Sequence, residues 1–220
     1  MDYSLINYNQ PYKIYYDECV GTNSAVLKAI KKNRLWEKKL IPYFEKYITK
    51  DSNVIDCGAY IGTHTIIMSN LAKFVYSFEP QIVVGNCLKK TIKENNIKNI
   101  KFINKGLSNI PEIKTIQTNH DGDANFFVNK KRKRNYEQTY QVDMTTLDNE
   151  IKCNIDLIKI DCEGYEFLIL EGAKEIIKNN KPIILIEVFR HKVHHLYDWC
   201  KFNEYSYRHL GGDDFILIPN

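Results

Sequence analysis

The sequence predicts an α/β fold: a doubly wound parallel sheet, closed by a C-terminal antiparallel hairpin and preceded by N-terminal helices. Three observations carry this. From Asn53 onward, short apolar runs alternate with helical stretches, the pattern of parallel strands joined by crossover helices. The first run, Val54-Ile-Asp-Cys, enters a glycine-bearing turn that leads into a helix. The last two runs are separated only by Leu210-Gly-Gly-Asp-Asp, which suits a hairpin turn.

Residues 1–21 are rich in Tyr and Asn with little helical period and read as an extended, partly irregular lead-in. The pattern then turns helical: Ala25, Val26, Ala29 and Ile30, followed by Leu35, Trp36, Leu40, Ile41, Phe44, Tyr47 and Ile48, recur at three- and four-residue steps. Two helices are expected, with a break near Asn33 and an N-cap at Thr22 or Asn23. Pro42 either kinks the second helix or marks its first turn. Strands are expected at residues 54–57, 74–78, 100–104, 155–161 and 183–188, helices at 63–72, 82–95, 165–179 and 191–202, and hairpin strands at 205–209 and 215–218. Residues 105–150 form an irregular crossover containing NHDGDANFF and the basic run KKRKR at 130–134. A long segment without its own helix inside a compact domain is functional or disordered, so a substrate-facing excursion is expected here, with short strands and one of them near residues 139–144.

With 220 residues, 44% hydrophobic and 26% charged, the chain can bury one sizeable core. A single domain is expected, with 1–50 as lead-in and helices and 51–220 as the core. A net charge of +4 is well short of a nucleic-acid coat or a polybasic membrane adaptor. No run approaches the roughly 18 apolar residues of a membrane span, and the polar start lacks the basic-then-apolar order of a signal peptide. Six cysteines without a CxxC pair read as reduced thiols. A soluble, cytoplasmic protein that does not engage membranes is the expectation. Oligomeric state is not assigned by these features.

The chemistry concentrates in three segments. In Val54-Ile-Asp-Cys-Gly-Ala-Tyr-Ile-Gly62 a buried strand runs into a turn at the carboxyl end of the sheet, where ligands bind in open α/β folds. Gly58 and Gly62 would let a ligand approach the backbone. The spacing is not the Gly-x-Gly-x-x-Gly of dinucleotide enzymes, which argues against a dehydrogenase, and Asp56 on the strand suits a cofactor with a cationic centre better than a pyrophosphate. The next strand ends at Phe78-Glu79-Pro80, where an acid can accept both hydroxyl hydrogens of an adenosine ribose. In Asp156-Leu-Ile-Lys-Ile-Asp-Cys-Glu-Gly-Tyr-Glu166, Lys159 and Asp161 share a strand face. A Lys on an apolar central strand is costly unless paired, and Asp56 is a reachable partner if the two strands are neighbours. Asp161 and Glu163 fall at the carboxyl end of that strand.

Read together, VIDCGAYIGTHT, YSFEPQ, FINKGLS, TTLDNE and LIKIDCEGYEFLILEGA resemble the FkbM-type family of S-adenosylmethionine-dependent methyltransferases over roughly residues 53–190. The family usually has Asn where this chain has Tyr60. The resemblance implies a class I methyltransferase fold and methyl transfer from S-adenosylmethionine, most often to a sugar or glycan oxygen. It also implies that Asp56, Gly58, Gly62 and Thr63 surround the methionine part, with Ala59 and Tyr60 in the same turn, and that Glu79, beside Pro80, holds the ribose. Asn104 would lie beside the adenine and Asp161 at the sulfonium end. Thr146-Leu-Asp148 looks like a scaffolding lead into the fourth core strand.

A sugar hydroxyl is a weak nucleophile, so a positioned base would help. Asp161, Glu163, Glu187 and His191 are the candidates, with Glu163 or His191 favoured. Clustered carboxylates could also hold Mg²⁺, and His191, His194 and His195 share a helix face, but no second ligand set is visible and no metal site is assigned. The basic run keeps an RNA ribose 2′-O-methyltransferase open as a disfavoured alternative. A catalytically silent methyltransferase-like binding module is the other.

Overall fold

A computed structural model describes residues 1–17, 24–118, 124–125 and 138–220. The expected N-cap at Thr22 or Asn23 and the basic run at 130–134 lie outside these residues. The chain opens with a hairpin, β1 (Asp2–Tyr8) and β2 (Gln10–Tyr16), turning at Asn9 in the left-handed region. The extended lead-in is therefore regular. Ile6, Tyr12 and Ile14 recur at even spacing on one face and pack against Leu27 and Ile30 of α1 (Ala25–Ile30). A 3₁₀ turn at Lys38–Leu40 leads into α2 (Ile41–Tyr47), and Pro42 occupies its first turn, where no backbone N–H is needed.

The core follows the expected alternation. After β3 (Asn53–Cys57) come α3 (Thr63–Leu71), β4 (Phe74–Phe78), α4 (Ile82–Glu94) and β5 (Ile100–Ile103). The 105–150 excursion carries a second, four-stranded sheet of β6 (Gly106–Leu107), β7 (Glu112–Thr118), β8 (Ala124–Asn125) and β9 (Gln138–Thr145), in the order β6-β9-β7-β8. Its buried Ile116, Val142 and Met144 join the main core. The sequence suggests only short strands here, because Ile110 and Ile113 are exposed and blur the alternation.

Then follow α5 (Leu147–Glu150), β10 (Leu157–Ile160), α6 (Glu166–Glu171), α7 (Lys174–Asn180), β11 (Ile183–Glu187), α8 (Val193–Asn203) and the hairpin β12 (Tyr205–Gly211) and β13 (Asp214–Pro219). The helix expected at 165–179 is broken in two. Gly172 lies against the backbone of Ser108, where a Cβ would come within 2.1 Å of the carbonyl oxygen. The new helix α7 starts with the N–H groups of Glu175 and Ile176 donating to the Asp148 carboxylate, each at 3.0 Å. Thr146 caps α5 through the N–H of Asn149 at 3.1 Å, so the Thr146-Leu-Asp148 segment serves two helix starts.

The main sheet runs β12-β13-β11-β10-β3-β4-β5, parallel from β11 to β5 and closed by the antiparallel hairpin. Both faces are covered, which is why these strands read as apolar runs. Val54, Val75, Leu157 and Leu185 meet Leu40, Phe44, Ile67 and Met68 on one side; Ile55, Ile158, Ile160 and Ile184 meet Ile169, Leu170 and Ile177 on the other. The strand order reverses between β3 and β10, and the crevice where the connections diverge is the expected ligand position. Among the described residues, no helix is long and apolar enough to cross a membrane.

Candidate active site

A cavity of about 240 Å³ opens at this reversal, many times the ~10–15 Å³ that one water needs. Four strand ends build it: Gly58, Ala59, Tyr60 and Thr63 after β3; Glu79 and Pro80 after β4; Asp161, Cys162 and Glu163 after β10; and Glu187 at the end of β11. Ser24, Trp36 and Glu37 reach over from the N-terminal segment, and Lys105 and Tyr165 close the side toward the second sheet. Three of the sequence-derived candidates are not brought to the lining. Gly62 packs under α4, where a Cβ would meet Leu88 at 2.4 Å. Asn104 is exposed and donates to the carbonyls of Glu79 and Pro80 at 2.7 and 3.2 Å, bracing that turn. His191 is exposed and stacks with Phe189.

The glycine turn owes its composition to the protein itself. A Cβ on Gly58 would lie 1.9 Å from the carbonyl oxygen of Asp161 on the neighbouring strand exit, and both Gly58 and Gly62 have positive φ, +80° and +93°. Both glycines are thus required by the protein's own packing, against Asp161 and Leu88, while Gly58 also lines the cavity and Gly62 does not. Tyr60 also sits at φ 52°, a left-handed conformation that Asn tolerates better than Tyr. Its N–H donates to Glu79 Oε2 at 3.0 Å.

Glu79 is buried, and the N–H of Gln81 donates to its other oxygen at 2.9 Å. Burial pushes its carboxyl up to about 7 against the opposing pull of these two N–H groups. A carboxylate offers about four acceptor positions; two are taken by the backbone, leaving capacity for a pair of hydroxyls in the cleft.

The β3–β10 register places Asp56 opposite Lys159, and their charged atoms lie 3.8 Å apart with both side chains almost wholly buried. Lys159 also donates to Asp161 at 3.0 Å. Burial works against its charge, but Asp161, Asp56 and Glu37 together hold the ammonium above its ordinary value. Burial likewise opposes ionisation of Asp161, and the Lys159 ammonium outweighs it, holding that carboxyl below its usual value. Asp56 is pushed up by burial; its Oδ2 accepts from Thr65 at 2.5 Å, while Oδ1 has no hydrogen-bond partner among the described residues.

Two further carboxyls complete this end of the cleft. Burial, reinforced by Asp161, Glu163, Asp214 and Glu37, pushes Glu187 up to about 9. Burial pushes Glu37 up to about 7, against Lys159. Glu37 has a left-handed backbone at φ 40°, and the adjoining 3₁₀ turn is tied down by Lys39, which bonds the Gly211 carbonyl at 2.8 Å and the Asp214 carboxylate. Buried His64 bonds the Trp36 carbonyl at 3.2 Å; burial drives its imidazole down to about 3, so it is neutral beside Glu37 at 3.9 Å. Sequence reasoning missed Trp36, Glu37 and His64. Nothing in the Lys-rich stretch around Glu37 separates it from surface charge. Lys105 was detectable, since it follows the carboxyl end of a core strand.

Among the described residues no group of three or more His, Cys, Asp or Glu side chains is arranged to hold a metal. The donor set fits an adenosyl cofactor with a cationic centre: a buried carboxylate with spare acceptor positions at one end, and several carboxyls gathered around the Lys159 ammonium at the other.

Comparison with known proteins agrees with this geometry. The Methyltransferase FkbM domain matches residues 56–208. Among solved structures, FkbM methyltransferase from Methylobacillus flagellatus KT is 19% identical with a TM-score of 0.56, over 77% of this chain and 44% of that one. The chain thus spans less than half the length of that relative. An rRNA methylase from Streptococcus thermophilus is 13% identical (TM-score 0.52, 80% of this chain and 90% of that one). SMU.1697c from Streptococcus mutans, in complex with SAH, is 14% identical (TM-score 0.52, 80% and 92%). At these identities the structural likeness is one of fold, that of the class I methyltransferases. No curated protein matches. With the domain match covering most of the sheet and every strand end that lines the cleft, the chain belongs to the FkbM methyltransferase family.

Proposed function

We propose that this protein is an S-adenosylmethionine-dependent O-methyltransferase, acting in the cytoplasm on a sugar hydroxyl of a glycan or nucleotide sugar. The observation that carries the reading is Glu79: a buried carboxylate at the end of β4, fixed by two backbone N–H groups, with acceptor capacity left for a ribose diol. When bound, the cofactor supplies an electrophilic methyl on a sulfonium. The chain's own residues hold and shield. Gly58, Ala59, Tyr60 and Thr63 wall the methionine side, Glu79 and Pro80 the ribose side, and Trp36 lines the cleft from the N-terminal segment.

In-line transfer needs oxygen, carbon and sulfur aligned at about 3 Å, so positioning is the main task. A partly dry cleft favours a reaction in which a cation is consumed. The acceptor end presents Glu37, Glu163 and Glu187, groups that hydrogen-bond hydroxyls and disfavour phosphates. This supports a sugar over an RNA backbone as acceptor.

Transfer of labelled methyl to nucleotide sugars, oligosaccharides and capped RNA tests the reading. Label is expected on a sugar hydroxyl, and label confined to RNA would overturn the acceptor class. Glu79→Gln is expected to weaken SAH binding at least about 10-fold, roughly 1.4 kcal/mol, read by titration calorimetry. Unchanged affinity would remove the ribose assignment.

A further inference from the structure

Backbone strain is concentrated at the cleft. Among the described residues, eight non-glycine positions have a positive φ. Asn9, Asn33 and Asn96 are of the type that tolerates it, and Lys181 and Glu204 are the C-caps of α7 and α8. The other three, Glu37, Tyr60 and Glu163, all line the cavity. Strain gathered at a ligand cleft points to side chains that the site requires there. Tyr60 is the aromatic one, at φ 52°, where glycine or asparagine would make the same turn with less strain. What tyrosine supplies is its side chain. At one end its N–H donates to Glu79 Oε2 at 3.0 Å, and at the other its hydroxyl donates to Ser24 Oγ at 3.3 Å. The ring between them packs against the apolar cluster that Ile6, Tyr12 and Ile14 of the hairpin share with Leu27 and Ile30 of α1. A second observation comes from Ser24. It is the N-cap residue of α1, where a Ser hydroxyl ordinarily accepts a backbone N–H of its own helix, yet its side chain makes no capping bond. Its oxygen accepts from Tyr60 instead.

We propose that Tyr60 is a positioning residue that fastens the N-terminal segment over the bound adenosyl cofactor, joining the ribose-holding carboxylate of Glu79 to the wall formed by Ser24, Ala25 and Val26. This rests on the methyl-transfer reading above and adds a means of retaining the cofactor. The N-terminal hairpin has its own anchors on α4 and the residue after it, away from the cavity lining: the N–H of Tyr15 donates to Thr91 Oγ1 and that of Lys13 to Asn95 Oδ1, each at 2.9 Å. Two stretches of the N-terminal segment reach the cavity. Trp36 and Glu37 form one, tied down through the bond of His64 to the Trp36 carbonyl and that of Lys39 to the Gly211 carbonyl. Ser24, Ala25 and Val26 form the other, and the Tyr60 hydroxyl secures it. Breaking that bond leaves the hairpin anchored and loosens only the wall, so cofactor release is the property that responds. A single neutral hydrogen bond, exchanged for water when broken, makes the response a matter of a few-fold.

The test needs no acceptor. Dissociation of SAH from the immobilised full chain is followed by surface plasmon resonance, beside the unfolding midpoint of each unliganded variant. Tyr60→Phe keeps ring and backbone and removes the hydroxyl. It is expected to speed dissociation about 3-fold, with the midpoint unchanged to within about 2 °C. Ser24→Ala is expected to do the same, and the double variant no more than either single one, since both break one bond. Tyr60→Asn eases the backbone but removes ring and hydroxyl together, and is expected to release SAH faster still. Tyr8→Phe removes a hydroxyl bond to Glu45 from the same hairpin, off the cavity, and should leave dissociation unchanged. Dissociation as slow as in wild type for Tyr60→Phe, Ser24→Ala and Tyr60→Asn, or sped equally by Tyr8→Phe, would overturn the proposal and leave methyl transfer standing. Failure of SAH to bind the wild type would instead remove the methyl-transfer reading, and this inference with it.

Discussion

A methyl group on Gly58 would press against the carbonyl oxygen of Asp161 at 1.9 Å while forcing a side chain into φ +80°. Gly58→Ala is therefore expected to cost more than about 2 kcal/mol of stability, read as a lowered unfolding midpoint, together with weaker SAH binding as the β3 and β10 exits separate. Lys159 is held from the other direction, by charge. Lys159→Met leaves Asp56 and Asp161 without their buried counter-ion, and a loss of about 3–5 kcal/mol is expected, checked by chemical denaturation. Asp56 opposite Lys159 was legible because side chains alternate along strands and a buried Lys demands a partner; the register then supplies it. Glu37 was not legible. Its place in the cleft depends on a clasp between Lys39 and a turn more than 170 residues away in sequence, and no local pattern encodes that contact.

Strands buried on both faces leave the strongest trace in a sequence, and the five parallel strands appear where their apolar runs stand, with ends shifted by a residue or two. Helices gave less away. Nothing in residues 165–179 except Gly172 marks the break between α6 and α7, and a lone glycine inside a helical pattern is often tolerated. The break comes from Ser108, brought against Gly172 by the second sheet, and from Asp148, which caps α7 through two N–H groups. Asp148→Ala is expected to cost about 1 kcal/mol, and hydrogen exchange should show the loss concentrated in α7; uniform loosening of the whole chain would contradict the capping role. The N-terminal hairpin was hidden by its tyrosines, which serve at Tyr8 and Tyr12 as the inward residues of a two-residue period.

In the molecule as a whole, the buried carboxyls and His64 bend the pH dependence of stability in opposite directions. Glu187 has a folded value near 9 against an ordinary 4.5, so the native state holds a proton that the unfolded chain has lost. Its contribution is complete at acid pH and disappears as pH rises through about 9. His64 has a folded value near 3 against 6.5, so its contribution is present above 6.5 and is lost on acidification toward 3. The unfolding midpoint of the unliganded wild type is expected to fall between pH 7 and 9, and that of Glu187→Gln to fall less. Parallel curves would show that Glu187 is not protonated in the folded protein.

Soaking crystals of the full chain with SAH examines the cleft itself. Density is expected along the exits of β3 and β4, with the ribose hydroxyls on the Glu79 carboxylate and the sulfur directed toward Asp161. Density lodged elsewhere on the protein, or a ribose turned away from Glu79, would contradict the assignment of the site.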